Sequence, residues 1–166
     1  MELGRCDRIR YSRFSTPLGM ATVACSETAL TGLWLDGAKH FCRGLPEEAR
    51  EGRLPLHDAA EEWLAAYFAG RMPEMTLPLE PEGTPFQLRV WQALRRIPYG
   101  QTCTYGALAQ ELGSSPRAVG GAVGRNPISI LIPCHRGVGA DGSLTGFAGG
   151  LERKRFLLEL EASKEF

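Results

Sequence analysis

A chain of 166 residues, 43% hydrophobic and 23% charged, has the size of one sizeable domain or two small ones sharing a core, and the composition of a soluble globular protein. Its N-terminus lacks an apolar core followed by a small-residue cleavage site, and its longest apolar run, at 128–133, is far too short to span a bilayer, which argues against secretion and membranes. Net charge is zero, which alone would speak against a nucleic-acid partner. The distribution differs: residues 1–83 carry 9 basic and 13 acidic side chains, whereas residues 84–166 carry 10 basic and 6 acidic. Between Pro85 and Arg136 six arginines face one acid, Glu111, and because the field is set locally such a half can bind phosphate.

In chain order, the first 36 residues read as strands. The stretches at 8–14 and 20–26 flank a turn at Thr16-Pro17-Leu18-Gly19, and a third follows at 29–35, each with alternation and β-branched or aromatic content. Residues 37–57 form a loop-rich connection. A helix is expected over 57–70, capped by Asp58 and stopped by Gly70. Three prolines within 71–83 mark an extended linker, so the chain divides into residues 1–80, a sheet-containing region with the linker, and residues 81–166.

The second half opens on a helix with Thr84 as N-cap and Pro85 at its first position. Phe86, Val90, Leu94 and Ile97 recur at helical spacing, with Trp91 widening the stripe. A second helix covers about 104–112, ending at Gly113. A third starts at Pro116 after a Ser114 or Ser115 cap and runs to about Arg125. Two short helices joined by a tight turn make a helix-turn-helix. Gly120, Gly121, Ala122 and Gly124 leave the second of them little bulk, which suits either close helix packing or approach to a wide, flat partner. The glycine-rich stretch after Gly137 lacks the GK[ST] ending of a phosphate-binding loop. On the last helix, about 151–163, Leu151, Phe156, Leu157, Leu158 and Leu160 define an apolar arc that also contains Lys154 and Glu161. A charge on a core-facing arc needs a partner, and for Glu161 the natural one is His135.

The five cysteines (6, 25, 42, 103, 134) are odd in number and form no CxxC pair, which points to a reducing cytoplasm. Cys134 stands apart because it lies in Ile132-Pro133-Cys134-His135-Arg136. A thiolate is a strong nucleophile, an imidazole can take its proton, and a carboxylate behind the imidazole fixes the tautomer. Cys134, His135 and Glu161 supply those three groups. Adjacent side chains of a strand point to opposite faces, so proton transfer between the first two needs a turn or a bridging water. A metal site is not expected, since histidine occurs only at 40, 57 and 135 and no ligand spacing fits.

Residues 84–161, "TPFQLRVWQALRRIPYGQTCTYGALAQELG…PRAVGGAVGRNPISILIPCHR…GSLTGFAGGLERKRFLLELE", resemble the O6-alkylguanine-DNA alkyltransferases with all motifs in order. The resemblance implies an α/β (α+β) fold, with a ribonuclease-H-like sheet-and-helix domain ahead of a mostly helical domain bearing the helix-turn-helix. It implies transfer of an alkyl group from O6 of a flipped-out guanine to Cys134 in a single irreversible turnover. His135 would act as base through a water, Glu161 would orient it, and Tyr105 would protonate the leaving guanine. Arg117 would fill the gap left by the flipped base from the minor groove, with Arg125 beside it. Asn126 would tie the DNA-binding helices to the active-site turn, and Lys154 would stand near that turn. The expected partner is double-stranded DNA carrying alkylated guanine, bound by a monomer without a cofactor.

Three positions depart from the family pattern. Gly137 stands where valine is usual, keeping the carbonyl expected to meet the guanine amino group. Phe147 replaces a common tyrosine, and Ala148 lacks the serine hydroxyl of some members. The expectation is a pocket that still holds guanine with altered rate or alkyl-size tolerance. Some relatives hold zinc through two cysteines and two histidines; Cys6 and Cys25 match the cysteine pair but the histidines are missing, so no structural metal is expected. Two other functions compete: a non-catalytic binder that flags alkylated DNA, and a cysteine hydrolase using Cys134 and His135, which would leave Arg117 and the arginine bias unexplained.

Overall fold

In the computed structural model, residues 9–141 and 150–162 are described. The N-terminal half builds a four-stranded sheet of order β3-β2-β1-β4. Strands β1 (Arg10–Thr16) and β2 (Gly19–Cys25) form an antiparallel hairpin, closed by Gly19 at φ +110°, which favours glycine. Strand β3 (Leu30–Leu35) continues the meander, and β4 (Arg50–Glu51) adds a short parallel edge to β1 inside the stretch read as a loop-rich connection. Helix α1 (Pro55–Phe68) packs on β1 and β2 through His57, Ala60, Leu64 and Tyr67. It begins earlier than the sequence suggests, and Asp58 is not its cap. Pro55 sits at its start, and the amide of Leu54 donates to His57 Nδ1 at 2.9 Å. Gly70, at φ +78°, ends it as expected.

The linker is tied down. Leu30 N–H donates to the Pro78 carbonyl and Glu80 N–H to the Leu30 carbonyl, both at 2.8 Å, so the proline-rich segment runs along the edge of β3. Farther along that edge, Leu33 pairs with the segment at 127–129 from the second half. One hydrophobic core therefore runs from Val23, Leu33 and Leu64 through Trp91 and Leu94 to Ile132 and Cys134.

Helix α2 (Pro85–Arg95) carries a reciprocal cap in which Thr84 Oγ1 accepts from the Gln87 amide and Gln87 Oε1 from the Thr84 amide. Its Trp91 indole donates to the Ala122 carbonyl at 2.8 Å, fixing α2 against the helix-turn-helix. That unit is α3 (Tyr105–Leu112), capped by Thr104 and ended by left-handed Gly113, followed by α4 (Pro116–Val123), capped by Ser115. The glycines of α4 divide by face. A Cβ on Gly120 would lie 3.7 Å from the Tyr105 ring, whereas one on Gly121 would meet nothing within 4 Å. Close packing accounts for the first, and the second leaves a smooth outer face.

The chain then places β5 (Cys103–Thr104) parallel to β6 (Gly137–Val138), with Cys103 opposite Gly137. This two-residue pairing sets the start of α3 against the residues that precede β6. The last helix, α5 (Leu151–Ala162), buries Lys154, Leu157 and Glu161. Leu151 and Phe156 are 53% and 40% exposed, so the inward face is narrower than the apolar arc read from the sequence, and two of its three residues are charged. No helix among the described residues is long and apolar enough to cross a membrane.

Candidate active site and DNA-binding face

The run before Cys134 is folded tightly on itself. Asn126 accepts from the Ile128 amide at 2.9 Å and donates to the Ile132 carbonyl at 2.9 Å, closing a loop around Pro127–Leu131. Within it Ile130 adopts φ +71°, a left-handed conformation that a β-branched side chain holds only when its surroundings impose it, at a cost of about 1–3 kcal/mol. Pro133 then leads into a single 3-10 turn, Cys134–Arg136, in which the Arg136 amide donates to the Pro133 carbonyl at 3.0 Å. Cys134 and His135 thus leave a turn rather than a strand, and both are buried.

His135 Nε2 lies 2.6 Å from Glu161 Oε2, the contact expected from the charged residue on the last helix. Glu161 also accepts from Tyr67 Oη at 2.5 Å, from Arg136 Nε at 2.9 Å and Nη2 at 3.0 Å, and from the Gly100 amide at 3.1 Å. Arg136 is itself held by donation to the Ile97 carbonyl at 2.7 Å. Burial pushes the Glu161 carboxyl up, but the hydrogen bonds from His135 and Arg136 outweigh it and hold it at about 2. The carboxylate is therefore ionised, and an ionised carboxylate only accepts. Nε2 must carry the ring hydrogen, which leaves the lone pair on Nδ1. That nitrogen is buried and has no hydrogen-bond partner among the described residues. Burial lowers the pKa of His135 while Glu161 raises it, the net being downward, so the ring is neutral and Nδ1 is a free base at neutral pH.

Burial pushes the Cys134 thiol up to about 11, against the Asn126 amide and the Lys154 ammonium, which pull it down. Lys154 is fully buried, and desolvation brings it down to about 8. Its ammonium donates to the Gly137 carbonyl and, at 3.2 Å, to Tyr105 Oη. Burial raises Tyr105 to about 12, with Cys134 as a further cause. Gly137 is extended, at φ −86° and ψ 128°, so its value lies in missing bulk rather than looseness: a Cβ there would come within 2.9 Å of Tyr105 Cε1.

Cys134, His135, Glu161, Tyr105, Asn126, Gly137 and Lys154 thus converge. Arg117 and Arg125 do not join them; both are exposed, one in the first turn of α4 and the other just past its end. The 8 residues of α4 rise by about 12 Å, with Ala118 and Gly121 exposed between the two arginines. Phe147 and Ala148 lie outside the described residues, as does Cys6. Cys25 packs 3.6 Å from both ring nitrogens of buried His57, but Nδ1 accepts from Leu54 and Nε2 lies 3.0 Å from the Val23 carbonyl, so that pair does not fit a metal. Sequence reasoning missed Tyr67, Arg136, Ile97 and Gly100. A signal existed for Tyr67: it lies on the same face of α1 as His57, Ala60 and Leu64, and a tyrosine on a core face needs a partner for its hydroxyl.

A sheet-and-helix half docked on a helix-turn-helix half, with a buried thiol, imidazole and carboxylate where the Cys134–Arg136 turn meets α2 and α5, has the make-up of a DNA-binding protein with a cysteine at its centre. Residues 85–163 match the family model described as 6-O-methylguanine DNA methyltransferase, DNA binding domain, and residues 9–81 match its ribonuclease-like domain. The chain is 44% identical over 156 residues to the methylated-DNA--protein-cysteine methyltransferase of Methanosarcina acetivorans, covering 92% of this chain and 98% of that one. It is 44% identical over 161 residues to the protein of the same name from Mycobacterium tuberculosis, covering 94% of each. A crystal structure of Mycobacterium tuberculosis OGT in complex with DNA superposes with a TM-score of 0.84 at 42% identity, over 93% of both chains. The chain belongs to the 6-O-methylguanine DNA methyltransferase family.

Proposed function

We propose that this chain repairs DNA by moving an alkyl group from O6 of guanine to Sγ of Cys134, once per molecule. The observation that carries the reading is the buried thiol beside an imidazole whose Nε2 is tied to Glu161 and whose Nδ1 has no partner among the described residues. As the new S–C bond forms and the O–C bond breaks, the thiol proton leaves towards His135 Nδ1 through a water. A ring nitrogen of the departing guanine takes a proton from Tyr105, and the phenolate left behind faces the Lys154 ammonium. Two protons move, one from sulfur to His135 and one from Tyr105 to guanine. The opposite charges left on His135 and on the phenolate offset each other, and the thioether does not revert. No cofactor enters this chemistry.

The family match, the basic second half and the smooth outer face of α4 support double-stranded DNA as partner. In this reading α4 lies in the minor groove, Arg117 takes the place of the flipped base, Arg125 meets the backbone, and Phe147, Ala148 and the Gly137 carbonyl face the guanine. Asn126 couples those helices to the Cys134 turn through its two-sided hold on Ile128 and Ile132. A monomer working in the cytoplasm suffices, and we place the division at 80/81, close to where the matches over 9–81 and 85–163 part.

Intact-protein mass spectrometry after incubation with a duplex carrying one O6-methylguanine tests this. The wild type is expected to gain one methylene mass and no more, and Cys134→Ala none. Tight lesion-selective binding without a mass change would make the chain a damage sensor instead.

A further inference from the structure

Tyr67 belongs to α1, in the half of the chain that carries neither the thiol nor the recognition helix, yet its hydroxyl reaches Glu161 at 2.5 Å. We propose that Tyr67 is a positioning residue for the transfer reaction, holding Glu161 so that His135 keeps its hydrogen on Nε2 and presents Nδ1 as the base. This rests on the function proposed above.

Three observations carry it. Glu161 Oε2 is shared by His135 Nε2, Tyr67 Oη and Arg136 Nη2 at 2.6, 2.5 and 3.0 Å. Without Tyr67 that oxygen would keep one neutral partner, the ring, and one flank of the guanidinium. The hydroxyl also lies 3.4 Å from His135 Nε2. With its single hydrogen given to the carboxylate, its oxygen faces the same Nε2–H, so both neighbours of that nitrogen are acceptors and only one tautomer fits. Finally, the donor is locked in place. The Tyr67 ring stacks on Trp63 at 5.4 Å and 14°, and meets Phe68 and Tyr99 edge-on. Burial and the Glu161 charge together raise the Tyr67 phenol, so it stays a donor throughout the working pH range.

The consequence is a defined direction of change. A donor to Glu161 draws charge from the carboxylate, and less charge there means a weaker hold on an imidazolium. Removing the hydroxyl makes His135 more basic, so its neutral form is lost at a higher pH. Tyr67→Phe keeps the ring and its stacking. It is expected to slow single-turnover methyl transfer roughly tenfold at neutral pH, the size of one charge-assisted hydrogen bond, and to move the acid-side midpoint of the pH–rate profile upward. Trp63→Phe, which alters the stacking partner and leaves the hydroxyl, is expected to leave that midpoint in place. Nitrogen-15 spectra of His135 should show the Nε2–H tautomer alone in the wild type and a mixture in Tyr67→Phe. A wild type that transfers methyl, beside a Tyr67→Phe variant with the same rate and midpoint, would overturn the inference. So would a slower variant whose midpoint and tautomer are unchanged, since that is a structural effect. A wild type that transfers nothing would instead overturn the proposed function.

Discussion

Glu161→Gln tests the relay where its energy is concentrated. Among the described residues the carboxylate accepts from five donor atoms: Tyr67 Oη, His135 Nε2, Arg136 Nε, Arg136 Nη2 and the Gly100 amide. A glutamine presents an NH2 to part of that set, so at least one donor faces another donor in a site from which water is excluded. Removing one partner of a buried ion pair costs about 3–5 kcal/mol. A second route gives a similar size. Although burial opposes it, the network lowers the Glu161 carboxyl from 4.5 to about 2, which at about 1.4 kcal/mol per pH unit is about 3 kcal/mol.

The sign follows from linkage. The folded value lies below the unfolded one, so this stabilisation is complete above pH 4.5 and is lost as pH falls from there through about 2. In a chain of 166 residues each kcal/mol is worth about 2–4 °C, so at pH 7 the variant should melt roughly 6–12 °C lower. Urea unfolding across pH 2–6 should show an acid slope in the wild type that is shallower in the variant. Methyl transfer, with the ring free to take either tautomer, should slow by on the order of 10²- to 10⁴-fold. A variant that melts within about 2 °C of the wild type and keeps its acid slope would refute the account of Glu161 as an ionised hub.

Two further outcomes follow from buried groups. Gly137→Val places a Cβ 2.9 Å from Tyr105 Cε1, so the ring must shift; the ratio of benzyl to methyl transfer is expected to change, and an unchanged ratio refutes the idea that this glycine sets alkyl tolerance. His57 is buried neutral, its pKa lowered first by desolvation. Stability should therefore fall as pH drops below 6.5, the unfolded value, because only the unfolded chain takes up that proton. A folded-state NMR titration of His57 at or above 6.5 would contradict it.

The sequence was legible where a local rule had no competitor. The Thr84-Pro85 start, the Ser115-Pro116 start and the Gly113 stop each depend on groups within four residues of one another, and the helices begin and end there. The inward charges on the last helix point to a polar core contact from the sequence alone. What stayed hidden depends on distant partners. Strand β4 exists because Arg50 and Gly52 donate to the Ile9 and Tyr11 carbonyls, a pairing that no pattern inside 37–57 encodes. The start of α1 turns on a histidine ring that accepts a backbone hydrogen and is packed under β2. Leu151 and Phe156 looked core-facing because periodicity counts apolar residues, whereas the fold buries the side chains that can pair, Lys154 and Glu161. The left-handed Ile130 has no sequence signal, since β-branched residues rarely adopt that conformation.

A thiol near 11 is ionised to about one part in 10⁴ at pH 7, so Cys134 waits as a neutral, buried group rather than as the ready thiolate of many cysteine enzymes. Such a thiol resists oxidants that attack thiolates, which suits a group used once. The proposed transfer then needs both a base and a charge to meet the thiolate as it forms. The proposal assigns the first to His135. Lys154 supplies the second, since at about 8 it is still largely protonated at neutral pH and its charge lowers the thiol. Lys154→Met removes that charge and keeps most of the volume. The thiol should rise further, and single-turnover transfer should slow most at the acid end, while affinity for duplex DNA, which the proposed function assigns to the outer face of α4, stays the same. A pH–rate profile of unchanged shape, lowered evenly at every pH, would show that Lys154 serves only to hold the Gly137 carbonyl and Tyr105 in place.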